Sequence, residues 1–516
     1  MQLTDEQVKV RDSEGHLVVV TARAGSGKTA TMVERIRAEI QRGTNPRDIA
    51  AITYTVTAAR ELQHRLGCEL GHCGTLHSYV MRCLQVDPAT VADEGEVAEI
   101  AKQACAALNI RGLTNKGLLR AMEDVVDHPG DIGVALRYVR AELKTRGRTT
   151  FALVLREFHE ALMRGEHRRA WALLVVDEAQ DTAPIDAEIF EAMDAAKRIF
   201  IGDPFQAIFG FRGCTDRFFR KMARKATDYL PLSTTFRCRR AICDAANALL
   251  NGGPVCPMRT VHKDGDGYIE ALRYPNEAEE LKGILAWAKQ CNGTRAVLCR
   301  YNADVARVGA WLLANGMKVR MRRAEPDRLL VAALRLLASK RDANLLAALR
   351  GELGERAAKL PIVADADAVE LLARSVRDGK GTVPAALTML GIPAEVAADA
   401  APDGVPVFAA LEAALRGEPP GEADTTEVVV GTVHSAKGRE FDDVLVASCY
   451  APGKTADTDE EARIFYVAIT RARNTATVTF ADRRIDPRTM AELAGVPSPF
   501  IATANIETTE DTHATA

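Results

Sequence analysis

The stretch "HLVVVTARAGSGKTATMVERIRAEI", residues 16–40, constrains the fold more than any other part of the chain. A β-branched run leads into a loop of small residues, and the loop closes on Lys28-Thr29 as a helical pattern begins. Small residues let successive backbone N–H groups gather at a helix N-terminus, a geometry that holds phosphate. On this reading Ala22, Arg23, Ala24, Gly25, Ser26 and Gly27 form the cradle. Lys28 reaches the β- and γ-phosphates of ATP, and the Thr29 hydroxyl ligates Mg²⁺. The plain alternative, an ordinary Gly-rich turn, leaves the register of strand, Lys-Thr and helix unexplained. Arg23 is out of pattern, a long cation where related loops often carry a small residue.

A second strand pattern ends in charge. In "VVDEAQD" (Val175–Asp181) the apolar run stops at Asp177 and Glu178. A strand-end aspartate can hold Mg²⁺, and the adjacent Glu178 is placed to orient or deprotonate a water. Helix capping is the competing account, and it has more force for Asp181 than for Asp177 and Glu178. In "IGDPFQAIFGFRG" (Ile201–Gly213), Gln206 follows a strand end and can sense the γ-phosphate. Phe209, Phe211 and Arg212 can stack bases and grip a backbone, as in single-strand binders. For Phe209 a core position is about as good a reading.

Strand patterns alternate with helical ones here and again in "YIEALR", "RAVLCRYN", "EVVVGTVHS", "DDVLVASCY" and "TATVTFAD". Alternation of this kind predicts α/β domains with parallel sheets and chemistry at the strands' carboxyl ends. The chain has 516 residues, too many for one core, and a net charge of only −3, so any nucleic-acid contact rests on a local patch. The start is polar, and no apolar run approaches the roughly 18 residues that span a bilayer. These features predict a soluble, cytoplasmic protein with no membrane partner. The eleven cysteines are scattered. Cys68 and Cys73, with His72 and His77 nearby, leave zinc open, although reduced thiols explain them more simply.

Taken in order, the motifs resemble the UvrD/Rep family of superfamily 1 DNA helicases, from Leu3 to about Asp482. The resemblance implies a role for each matching position. Gln7 in "LTDEQ" reads adenine. Tyr54 in "TYTVTAARELQHRL" and Thr75 and His77 in "GTLHSY" contact DNA. Phe236 and Arg237 in "TTFRCRRAICDAANALL" supply an adenine-stacking ring and an arginine finger. Thr432, His434 and Lys437 in "TVHSAKGREFDDVLV" grip the strand, and Glu440 binds the ribose. Arg471 in "EEARIFYVAITRAR" meets the γ-phosphate.

The implied architecture is two RecA-like parallel-sheet motor domains, each with a mainly helical insertion. The expected bounds are 1–79 and 166–232 for the first motor domain, with 80–165 as its insertion. The second takes 233–325 and 425–485, with 326–424 as a reduced insertion. Residues 486–516 form a tail, disordered after Pro497 on composition. The implied activity is Mg²⁺- and ATP-dependent translocation on single-stranded DNA, 3′→5′, with unwinding at single-strand/duplex junctions. ATP gripped from both motor domains closes them, and hydrolysis lets them reopen. Ala30 and the pair Val56-Thr57 depart from the family pattern, which bears on base choice and on one DNA contact. The short second insertion predicts weak unwinding without a protein partner. A DNA-stimulated motor that strips proteins or serves as a subunit is the alternative. A P-loop switch with no nucleic-acid role is a third class.

Overall fold

The computed structural model describes residues 2–110, 121, 130–210, 213–214, 216–250, 256–291, 293–322, 427–453, 455–485 and 492–510. Phe211, Arg212 and the 326–424 insertion lie outside these residues. The chain divides into two units, Met1–Thr235 and Phe236–Ala516.

In the first unit, six β-strands build one sheet. They are β1 (Leu17–Ala22), β2 (Ile49–Thr53), β3 (His72–Thr75), β4 (Trp171–Val176), β5 (Ala195–Gly202) and β6 (Asp228–Leu232). Their order is β3-β2-β4-β5-β1-β6, and every pairing is parallel. A parallel pair needs a crossover, so helices return the chain over the faces and all carboxyl ends share one edge. Among these helices are α1 (Asp5–Asp12), α2 (Lys28–Gln41), α3 (Val56–Leu66) and α4 (Leu76–Leu84).

Both faces are covered, which is why the strands read as continuous apolar runs. Val18, Val20, Ala51, Leu173, Val175, Ile199 and Ile201 enter one core, while Val19, Ala50, Ile52, Leu174, Val176 and Phe200 enter the other. Each fully buried Val, Leu, Ile or Phe side chain among them contributes roughly 1.5–3 kcal/mol.

The region 80–165 is helical where described. The helices Glu94–Ala107 and Gly130–Thr145 close a small core of their own around Val97, Ile100, Leu136 and Val139. The helix Phe151–Met163 instead gives Val154, Leu155, Phe158 and Leu162 to the core of the sheet.

The second unit repeats the architecture with seven strands. They are β7 (Tyr268–Tyr274), β8 (Arg295–Cys299), β9 (Val319–Arg322), β10 (Val428–Thr432), β11 (Phe441–Ala447), β12 (Ala472–Ala481) and β13 (Thr508–Glu510). The order is β9-β10-β8-β11-β12-β7-β13, again parallel throughout. The five strand patterns read from the sequence in this half are β7, β8, β10, β11 and β12.

The composition-based expectation of disorder after Pro497 is corrected by the described part of that segment. Ser498 caps the short helix Pro499–Thr503, Phe500, Ile501 and Ile506 are buried, and β13 pairs with β7. Three apolar anchors and a backbone ladder hold a segment whose side chains are mostly small and polar. Among the described residues, no helix is long and apolar enough to cross a membrane.

Candidate active site

In the first sheet β4, β5 and β1 are neighbours, so the loops leaving their carboxyl ends converge at one edge. The phosphate loop leaves β1. Gly25 and Gly27 have φ of 72° and 75°, the left-handed region that costs glycine least, and α2 starts at Lys28. The N–H groups in the first turn of a helix have no intrahelical acceptor, so they are available to an anion. Ser26 Oγ is buried with no hydrogen-bond partner among the described residues. Gln7, the N3 residue of a capping box at α1, is buried and donates Nε2–H to Ser26 O at 3.2 Å. Thr29 lies half-buried in the first turn of α2.

After β4 come Asp177 and Glu178. Lys28 Nζ donates to Glu178 Oε1 at 2.5 Å. Burial works against the ammonium, but the charges of Glu178 and Asp177 outweigh it and hold the lysine pKa above its ordinary value. Asp177 Oδ1 accepts the Glu178 N–H at 2.9 Å. Glu178 has φ of 52°, a left-handed conformation that a non-glycine residue adopts at a cost of about 1–3 kcal/mol.

After β5 come Asp203 and Gln206. Gln206 Nε2 donates to Asp203 Oδ2 at 2.9 Å. Gln180, which no sequence pattern singles out, links this loop to the one after β4. It receives the Asp203 N–H on Oε1 at 3.0 Å and donates Nε2–H to Glu178 Oε2 at 2.5 Å. Arg23, expected in the phosphate cradle, turns its guanidinium to Asp203 instead, donating Nη1–H to Oδ1 at 3.0 Å. The structure therefore brings Lys28, Asp177, Glu178 and Gln206 together. The donor set suits Mg²⁺: Thr29 offers a hydroxyl and Asp177 a carboxylate, both hard oxygen ligands, and a metal that keeps waters needs few protein ligands.

The expected DNA contacts of this unit follow β2, β3 and β5, on the same edge. Tyr54 is exposed and stacks on Phe209, with ring centroids 5.6 Å apart and planes 15° apart. Phe209 is half-buried, neither a core residue nor a free platform. Thr75 caps α4 through its hydroxyl, which accepts the Ser78 N–H at 3.2 Å. His77 meets Phe151 edge-on at 4.9 Å. Phe151 is half exposed, and no local pattern singles it out. His72 is buried against Tyr79, and Cys73 Sγ donates to Ala59 O at 3.4 Å, so the zinc quartet is split among separate contacts.

In the second unit Arg237 donates Nε–H to Glu440 Oε2 at 2.7 Å and Nη1–H to Thr470 O at 3.1 Å. Arg473, two residues beyond Arg471 and not marked by the motif, also pairs with Glu440. Burial alone would raise the Glu440 carboxyl; the guanidiniums of Arg237 and Arg473 override it and bring it down to about 2. Arg471 is fully buried and donates to Val467 O at 3.1 Å and Arg439 O at 3.2 Å. Phe236 is exposed. Thr432 ends β10, and its Oγ1 accepts the Ser435 N–H at 3.2 Å, shaping the turn that carries His434 and leads to Lys437.

A phosphate loop, a carboxylate pair and an amide at three adjacent ends of a parallel sheet define a P-loop nucleoside triphosphatase with RecA-like architecture. Residues 6–212 match the model of an AAA domain, and residues 409–483 match that of a UvrD-like helicase C-terminal domain. DNA helicase II of Escherichia coli is 25% identical, over 93% of this chain and 85% of that protein. ATP-dependent DNA helicase UvrD2 of Mycobacterium tuberculosis is also 25% identical, over 88% of this chain and 75% of its own length. RecBCD enzyme subunit RecB of Mycolicibacterium smegmatis is 32% identical over 26% of this chain and 14% of that protein. Together the two family models and the relatives matched over most of the chain support a UvrD-like superfamily 1, ATP-hydrolysing DNA helicase.

Proposed function

We propose that this chain translocates 3′→5′ on single-stranded DNA and unwinds duplex at single-strand/duplex junctions, in the cytoplasm, driven by MgATP hydrolysis. The observation that carries the reading is the convergence of Lys28, Glu178 and Gln206 at one edge of the first sheet, with the Tyr54–Phe209 stack on that same edge. The cradle of residues 22–27 and Lys28 bind the phosphates. Glu178 orients and deprotonates the attacking water, and Gln206 senses the γ-phosphate. Thr29 and Asp177 would hold Mg²⁺, which when bound offsets charge developing on the phosphate oxygens.

Gln7 and Phe236 take the adenine, and Glu440 takes the ribose. Arg237 and Arg471 act on the γ-phosphate. Arg471 is buried and bonded to Val467 O and Arg439 O through two of its five N–H groups, so its guanidinium must first be uncovered to do so. Alternating grips at Tyr54, Thr75, His77, Phe209, Phe211 and Arg212, and at Thr432, His434 and Lys437, convert domain closure and reopening into steps. The domain bounds given from the sequence belong to this proposal.

Steady-state ATPase measured with and without single-stranded DNA tests the reading. Strong stimulation is expected, and turnover indifferent to DNA would overturn it. A second reading, a motor subunit without robust unwinding of its own, is favoured by the partial likeness to RecB and to an ATP-dependent helicase/nuclease subunit of Lactobacillus acidophilus. A duplex-unwinding assay on the isolated protein separates the two.

A further inference from the structure

Arg23 follows β1 and Asp203 follows β5, and these strands are paired with Thr21 opposite Gly202. An arginine leaving one strand end therefore reaches a carboxylate leaving the next. Both side chains are essentially sealed from solvent, at 1% and 0% exposure. The Arg23 guanidinium also lies over the Phe205 ring, 4.8 Å from its centroid. A buried ion pair is costly to desolvate, and removing one member leaves a charge with neither water nor partner. Such a pair adds little net stability, so its value lies in what it orients.

Asp203 is the hub of that orientation. Its Oδ1 takes the Arg23 Nη1–H and, at 3.2 Å, the Phe205 N–H. Its Oδ2 takes the Gln206 amide, and its own N–H goes to Gln180, whose amide in turn holds Glu178 Oε2. The contacts close a ring: Arg23, Asp203, Gln180, Glu178, Lys28, and back through the loop to Arg23.

We propose that Arg23 is a positioning residue for hydrolysis: by fixing Asp203 it sets the Gln206 amide and, through Gln180, the Glu178 carboxylate. The inference rests on the proposed action of Glu178 and Gln206 on ATP. The Arg23 side chain has no part in holding the phosphates, which is left to the loop backbone and Lys28. Its loss therefore slows turnover and spares nucleotide binding. A neutral Asp203 loses the same hold, so the two substitutions do not add.

The test compares Arg23→Gly, Arg23→Lys, Asp203→Asn and the Arg23→Gly/Asp203→Asn double variant by fluorescent-nucleotide titration and DNA-stimulated kcat. The double variant removes both charges and strands neither, so it remains informative if Arg23→Gly alone fails to fold. The double variant is expected to lose roughly ten- to a hundredfold in kcat, the scale of a misplaced catalytic group. Its nucleotide affinity should stay within about threefold, the pattern of an interaction used only in the transition state. Arg23→Lys should recover part of the loss. A folded double variant with wild-type kcat, or one whose loss lies wholly in nucleotide affinity, overturns the proposal. Glu178→Gln, run alongside, separates the two levels. If it hydrolyses ATP normally, the proposed role of Glu178 fails, whereas an inactive Glu178→Gln beside a fully active double variant removes only the role of Arg23.

Discussion

Lys28 and Glu178 form an ion pair, Nζ to Oε1 at 2.5 Å, across the edge where β1 and β4 deliver them. The lysine that should meet phosphate is held by the carboxylate that should meet water. On the proposed roles, ATP entering the loop would take Lys28 from Glu178 and so release the proposed base. Glu178→Gln should therefore bind ATP at least as tightly as the wild type while hydrolysing it roughly 10²-fold more slowly, the scale of a lost general base. Nucleotide titration and single-turnover hydrolysis read the two separately. Weaker binding with normal hydrolysis would reverse the assignment.

Gly202 is the last residue of β5. A Cβ there would collide with Gln180 Oε1 and lie 3.1 Å from Gln180 N and 3.2 Å from Phe219 Cε2. Gly202→Ala should displace Gln180 from Asp203 and Glu178. Overpacking of this kind costs typically about 1–3 kcal/mol. A drop in both Tm and kcat is expected, and a variant retaining both would show that Gln180 yields without consequence.

His72 opens β3, buried against Tyr79, and its Nε2 has no hydrogen-bond partner among the described residues. Burial, reinforced by the Arg82 charge, lowers its pKa to about 4. Between the usual value near 6.5 and about 4, the unfolded chain takes up a proton that the folded chain refuses. The stability due to the neutral ring is complete above the upper value and is lost as pH falls through the lower one. At most about 3 kcal/mol is involved. Thermal unfolding of the wild type and His72→Gln, followed from neutral pH downward, should show the variant losing less. Parallel curves would mean that His72 does not drive the acid sensitivity.

Tyr54 and Phe209 stack on each other, so each holds the other's platform in place. Tyr54→Ala and Phe209→Ala should each weaken single-strand affinity by about 1–3 kcal/mol. The double variant should cost less than the sum, because the residues touch. Anisotropy with a labelled oligothymidine measures this at several salt concentrations, and affinity should fall as salt rises. Unchanged affinity together with lost ATPase would make the pair a structural link.

The sequence disclosed what is contiguous. The phosphate loop was legible because strand, small residues, Lys28-Thr29 and helix follow one another within a single crossover. The parallel sheets were legible because strands covered on both faces must be apolar throughout, as in Val18–Val20 and Val428–Val430. Strand register was not legible, and register is what joins Arg23 to Asp203 and Gln180 to Asp203. The same applies to Arg473 beside Glu440 and Phe151 beside His77, pairs whose members come from separate elements. The segment after Pro497 misled because composition weighs side chains, whereas β13 is held by its backbone and by neighbours such as Ile506.

The edge pairing of β13 with β7 sets an order for folding during synthesis. Everything the first sheet needs is present once β6 has emerged, because its strands all lie within Met1–Thr235. That unit can close on itself while the rest is still being made. The edge of the second sheet must wait, since Thr508 pairs with Ala271 and the intervening chain has to be made first. Contacts that distant in sequence are slow to form and leave strand edges open meanwhile. The edge of β7 therefore stays open until β13, the last of the described strands to be made, arrives to cover it.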